Sequence, residues 1–178
     1  MRFAEMPILH GVFMEIAGTG VLLAGQSGLG KSELALDLIS RGHRLIADDA
    51  PEFTRIARNT ILGTCPDALQ NFLEVRGLGI LNIREMYGDE AVQSSQHLEL
   101  IIKLRAGDQT SSKAEDRMQS PESKTGVLGV DIPTIVLPVA PNRNLAVLVE
   151  AATRSRSLSK RGYVASKDFS DRQKKLMQ

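Results

Sequence analysis

The sequence predicts an α/β domain of the phosphate-loop (Walker A) class, with a mixed sheet in which the loop follows a β-hairpin strand. Three observations carry this expectation. Gly25-Gln26-Ser27-Gly28-Leu29-Gly30-Lys31-Ser32 satisfies the pattern G-x-x-x-x-G-K-S/T at every fixed position. Val21-Leu22-Leu23-Ala24 enters that loop as a buried strand, and Ser32 to Arg41 leaves it as a helix with Leu34, Ala35, Leu38 and Ile39 on one face. Gly11 to Ile16 reads as a strand turned back through Gly18-Thr19-Gly20, so the loop-bearing strand is the second arm of a hairpin. A phosphate-loop strand ordinarily opens a parallel crossover instead.

The loop residues have defined chemistry. Its glycines let the backbone curl with amide hydrogens inward, which side chains would obstruct. Lys31 can reach β- and γ-phosphates, the Ser32 hydroxyl can ligate Mg²⁺, and the helix dipole adds to the amide cradle. A nucleoside triphosphate such as ATP is the expected ligand.

Downstream, His43 to Ala47 reads as a strand running into Asp48-Asp49. Phe53–Ile56 and Thr60–Leu62 read as short β elements around Arg58-Asn59, and Pro66–Phe72 as a short helix opened by its proline. Leu73 to Ile80 is expected to be a loop leading into an apolar stretch near Ile83, and Leu98–Leu104 a strand. Residues from about 106 to 126 are polar and without apolar periodicity, the composition of a mobile functional loop. Ile132–Val139 returns as a strand. A helix with Leu145, Leu148, Val149 and Ala152 on one face runs from Asn144 to about Arg154, and a basic C-terminal helix occupies about 168–177.

Composition narrows the function classes. At 178 residues, with 42% hydrophobic and 24% charged side chains, the chain reads as one domain, 1–178, with a substantial core. A net charge of +1 without a dense basic run gives nucleic acid no support as a partner. The lone Cys65 excludes an internal disulfide framework and reads as an ordinary small side chain. No apolar run approaches the roughly 20 residues of a membrane helix, and no secretion signal opens the chain, so no membrane partner and a cytoplasmic location are expected.

Several side chains are candidates for chemistry. Asp48 and Asp49 end a strand shortly after the loop, where one carboxylate can face a metal and the other can take a proton from an attacking hydroxyl. Glu74 and Arg76, in Glu74-Val75-Arg76-Gly77-Leu78-Gly79, fit a metal ligand and a phosphate cation, or equally a surface ion pair. His10 is balanced between catalytic and structural roles, whereas His43 and His97 take the structural one. Arg117 could close over a phosphoryl group or simply be solvated. Asn142-Arg143-Asn144 precedes a helix, where either asparagine serves as a cap and backbone amides could gather an anion.

Taken together, these segments resemble the catalytic domain of the HPr kinase/phosphorylase family. The resemblance rests on His10-Gly11-Val12, Gly18-Thr19-Gly20-Val21-Leu22 and the phosphate loop extended to Ser32-Glu33. It continues through Arg41 to Asp49, Glu74 to Ile80, Pro138-Val139 and Arg143-Asn144-Leu145-Ala146 to Val149-Glu150, and so spans nearly the whole chain. It implies a kinase that phosphorylates a serine of the phosphocarrier protein HPr with ATP and Mg²⁺, in control of sugar uptake and carbon metabolism. The reverse activity would remove that group with inorganic phosphate, releasing pyrophosphate.

On matching positions, Gly25 to Ser32 would bind the nucleotide and Lys31 the transferred group, while Ser32 and Glu74 would hold Mg²⁺. Asp49 would be base and acid in the two directions, supported by Asp48, with His10 and Arg117 as further active-site groups and Arg76 near the phosphates. Pro138, Val139, Ala140, Pro141, Asn142 and Arg143 would match a stretch needed for dephosphorylation. The family also implies a homohexamer and an additional N-terminal domain, which this chain is expected to lack as a truncated or naturally short member. Departures are Asn142 for the usual Gly, Met118-Gln119 for Leu-Gly after the loop arginine, and Asp89 to Gln93 for Ala-Gly-Ala-Val-Arg. They spare the phosphate loop and bear on phosphorolysis, regulation and hexamer contacts. The rival readings are a nucleotide hydrolase acting as a switch and a non-catalytic nucleotide-binding partner of HPr.

Overall fold

A computed structural model describes residues 9–107 and 123–177. The first hairpin forms as expected from β1 (Val12–Ile16) and β2 (Thr19–Gly25), and α1 (Lys31–Ser40) follows the phosphate loop. β3 (Arg44–Asp48), β4 (Glu52–Ala57) and β5 (Thr60–Thr64) come next, then β6 (Phe72–Val75), β7 (Gly79–Asn82) and the short α2 (Ile83–Tyr87). β8 (Ser95–Ala106), β9 (Ser123–Val127), β10 (Val130–Val139), α3 (Leu145–Lys160) and α4 (Ala165–Leu176) complete the order. Among the described residues no helix is long and apolar enough to cross a membrane.

Among the described residues the main sheet has eight strands, ordered β3-β1-β2-β8-β10-β9 with β5 joining the start of β8 and β4 pairing β5. β1 is antiparallel to both neighbours, whereas β2, β8 and β10 run parallel. Side chains alternate across it with the period of two that a pleated strand imposes. Val12, Met14 and Ile16 face α1 and α3, whereas Phe13 faces the opposite core with Ile46, Ile61 and Val130. β8 breaks this alternation at a bulge, for Gly20 pairs with Leu98 and Val21 with Leu100. The extra residue, Glu99, sends Leu98 and Leu100 to opposite faces. Close approach there requires Gly20, whose added Cβ would lie 1.8 Å from the His97 carbonyl oxygen.

Leu34, Ala35, Leu38 and Ile39 of α1 are buried, as their spacing predicts. On α3, Val149 is buried while Leu145, Leu148 and Ala152 are half-buried. Thr153 enters the same core because its hydroxyl donates to the Val149 carbonyl at 2.8 Å.

Other expectations need correction. Pro66–Phe72 holds only a 3₁₀ turn at Asp67–Leu69 before β6 begins, because Leu73 and Val75 alternate inward as strand residues. Of the loop expected over Leu73–Ile80 only residues 76–78 form a turn; Leu73 to Val75 lie in β6 and Gly79 and Ile80 in β7 of a separate two-stranded ribbon. At the edges of the polar segment, Ala106 belongs to β8 and Ser123–Gly126 to β9, where backbone pairing with β10 compensates for polar side chains. α3 runs past Arg154 to Lys160, whose ammonium pairs with Glu99 of β8. α4 begins at Ala165 rather than near 168.

Candidate active site

The phosphate loop spans the end of β2 and the start of α1. Gly28 and Gly30 sit at φ 87° and 85°, left-handed torsions that a Cβ disfavours. Gly30 also caps α1, its carbonyl accepting the Leu34 amide at 2.9 Å. Lys31 curls across the loop and donates to the carbonyls of Gly25 at 2.7 Å and Gln26 at 2.8 Å. The loop forms one wall of a cleft of about 550 Å³, whose other walls include His10, Asp48, Asp49, Glu74 and Arg76.

The two adjacent carboxylates take different environments. β3 ends at Asp48, and Asp49 adopts φ 63°, with its amide donating to the Gly11 carbonyl at 3.0 Å. That left-handed step separates the side chains. Asp48 is half-buried and its Oδ2 accepts the Glu74 amide at 2.9 Å, whereas the Asp49 side chain is 85% exposed. Burial pushes the Asp48 carboxyl above the ordinary carboxylate range; the Glu74 amide opposes the shift, the Asp49 and Glu74 charges add to it, and Lys31 opposes it. Asp48 is thus an anchor, while Asp49 projects freely, 3.9 Å from Nδ1 of an exposed His10.

The β6–β7 ribbon brings Glu74 and Arg76 to this place. Leu73 and Val75 bury one face of β6, which turns Glu74 outward. Gly77 and Gly79, both at positive φ, make the turn that leaves Arg76 at the cleft. Neither residue forms an ion pair among the described residues, so the surface-pair alternative is not realised there. Sequence reasoning missed Gly11, which holds the Asp49 amide, and Glu33, which lines the cleft from the first turn of α1. Their adjacency to His10 and Ser32 was the available signal.

Pro138 to Arg143 lies elsewhere. Pro138 and Val139 pair with Arg105 and Ala106 at the end of β10. Asn142 and Arg143 line a second hollow of about 570 Å³ with Leu29, Gly30, Glu33 and Asp37. Asn142 adopts φ 71°, and asparagine is among the residues that tolerate this torsion best after glycine. Asn144 is the cap of α3, accepting the Val147 amide at 3.2 Å. Arg117 lies outside the described residues.

His43 and His97 stand apart from the cleft. His43 Nδ1 accepts the Ala17 amide at 3.3 Å, so Nε2 carries the hydrogen donated to Glu150 at 2.8 Å. Arg41 donates to the same carboxylate, and the His43 hydrogen bond, aided by Arg41, holds Glu150 below the usual carboxylate range. Burial raises the Cys65 thiol to about 11, with Glu52, Asp48 and Asp67 adding to the shift, so Cys65 is an inert core group.

The cleft offers a cation mostly oxygen donors, the hydroxyls of Ser27 and Ser32 and the carboxylates of Glu33, Asp48, Asp49 and Glu74, beside the imidazole of His10. Among the described residues no three His, Cys, Asp or Glu side chains converge closely enough to hold a metal by themselves. This donor set fits Mg²⁺, which keeps waters and shares phosphate oxygens rather than occupying an all-protein cage.

Comparison with known proteins identifies the family of the chain. The family model of the HPr serine kinase C-terminal domain matches residues 1–173. The HPr kinase/phosphorylase of Stenotrophomonas maltophilia (strain K279a) is 52% identical over 176 residues, 98% of this chain and 56% of that protein. That of Xanthomonas campestris pv. campestris (strain B100) is 52% identical over 171 residues, 96% of this chain and 54% of that one. The chain thus spans about half the length of the curated relatives it matches. The solved structure of the HPr(Ser) kinase/phosphatase from Coxiella burnetii superposes with a TM-score of 0.80 at 32% identity, covering 90% of this chain and 96% of that one.

Proposed function

The chain belongs to the HPr serine kinase C-terminal domain family, and from that premise we propose that it phosphorylates a serine of HPr with ATP and reverses the reaction with inorganic phosphate. The observation that carries the reading is the convergence of Lys31, Ser32, Asp49 and Glu74 on one cleft. A neutral serine hydroxyl is a poor nucleophile. Asp49, exposed beside the loop, orients it and takes its proton as the oxygen bonds to the γ-phosphorus and the bond to ADP breaks. Lys31 and the loop amides stabilise charge on the phosphoryl oxygens. Asp48, held by the Glu74 amide, fixes the strand end from which Asp49 projects. Mg²⁺, held by Ser32 and Glu74, would supply further neutralisation of phosphate charge.

In reverse, inorganic phosphate attacks phosphoserine, Asp49 returns the proton to the serine oxygen, and pyrophosphate leaves. His10, Arg76 and Arg117 serve as further active-site groups, and Pro138 to Arg143 supports dephosphorylation. The 178 residues are read as one catalytic domain, working in a cytoplasmic homohexamer without nucleic acid or membrane.

Intact-mass spectrometry of HPr tests this. Incubation with the protein, ATP and Mg²⁺ should add one phosphoryl group to a serine, and added phosphate should remove it with pyrophosphate release. Asp49→Ala should lose transfer while retaining ATP binding. ATP binding by the wild-type protein without any mass gain would overturn the kinase reading, and gain without reversal would overturn the phosphorolysis.

A further inference from the structure

The phosphate loop has a hollow on each side. The cleft of Asp49 and Glu74 and the hollow of Asn142 and Arg143 share Gly30 and Glu33, so they meet at the first turn of α1. This continuity constrains how a nucleotide can lie. With its terminal phosphates at Lys31, a nucleoside on the cleft side would crowd the carboxylates of Asp48, Asp49 and Glu74 and obstruct the incoming hydroxyl. The path over Glu33 leads the other way.

We propose that this second hollow, between the phosphate loop, α1 and the turn before α3, is the subsite for the nucleoside of the bound triphosphate. The inference rests on the nucleotide-binding reading above. Leu29 and Leu145 are half-buried and present apolar surface to a base. Arg143 is exposed and unpaired among the described residues, although Glu33 and Asp37 line the same hollow. Its planar guanidinium is suited to stack on a base. The two carboxylates are suited to accept hydrogen bonds from ribose hydroxyls. Asn144 is committed to capping α3, which leaves Arg143 as the free cation of the turn among the described residues, beside the amide of Asn142.

Calorimetric titration of the full chain with ATP and with inorganic tripolyphosphate, both with Mg²⁺, separates the two halves of the ligand. ATP should bind wild-type protein more tightly than tripolyphosphate; equal affinity would overturn the subsite without needing any variant. Arg143→Ala should weaken ATP by about five- to thirtyfold, the range of a stacked cation, and leave tripolyphosphate within about twofold of wild type on the same scale. Equal loss for both ligands would make Arg143 a phosphate contact, and no loss for ATP would empty the hollow of its role; either overturns the proposal. Failure of wild-type protein to bind either ligand would instead overturn the nucleotide-binding reading on which it rests.

Discussion

Gly20→Ala offers a quantitative test of how the loop-bearing strand is held. The new Cβ would lie 1.8 Å from the His97 carbonyl oxygen and 2.8 Å from its carbon, both backbone atoms that no rotamer change can move. Reaching the 3.0 Å that real Cβ contacts respect requires β2 and β8 to separate by the difference, 3.0 − 1.8 = 1.2 Å. Separation of that size breaks the pairing around Gly20 and Leu98. One or two lost hydrogen bonds and a buried polar group left unsatisfied cost about 3 kcal/mol. For a chain of this size that lowers Tm by about 6–12 °C. Gly18→Ala is the matched control, since Gly18 has φ +82° and nothing within 4 Å of an added Cβ. It meets only the left-handed torsion, about 1 kcal/mol and about 2–4 °C. Differential scanning calorimetry of both variants measures the contrast. A Gly20→Ala protein no less stable than Gly18→Ala would refute the claim that steric contact with β8 fixes this position.

Asp48→Asn should remove the burial penalty on a charged group. Because folding raises the Asp48 pKa, its contribution to stability is greatest below the unfolded carboxylate value and is lost as pH rises through the folded one. The variant should therefore unfold at higher denaturant than wild type at neutral pH, with the difference disappearing on acidification, while its phosphoryl transfer falls. Glu150→Gln should behave in the opposite sense, since the folded pKa of Glu150 is lowered. It should lose about 1 kcal/mol at neutral pH, and the loss should fade as pH falls through the folded Glu150 pKa, as denaturant titrations across that range would record. At Asn142, φ 71° makes Asn142→Gly close to neutral, whereas Asn142→Val should destabilise the turn by about 1–2 kcal/mol. Hydrogen exchange of the Arg143 amide, which donates to the Ala140 carbonyl at 3.3 Å, would report the difference.

The features legible along the chain are contiguous. The phosphate loop, the apolar strand before it and the helix after it lie within Val21–Arg41, where torsional preference and hydrophobic period act on neighbours along the chain. The hairpin before the loop was legible for the same reason. The pairing of Asp48 with Glu74 spans 26 positions, and no local pattern specifies it. Two alternating residues, Leu73 and Val75, make β6 a strand, too short a run to distinguish from a loop until the core beneath them is present. Tertiary structure also gave Asp48 and Asp49 their separate environments, because burial and a left-handed step depend on the neighbouring strands. Asn142 was visible as a candidate cap and as a substitution for glycine; the structure gives the cap to Asn144, and the φ of 71° at Asn142 explains why asparagine can stand there. Local pattern specified the glycine-rich loop and its flanks, while packing between distant segments decided which of the two adjacent carboxylates is anchored and which is exposed.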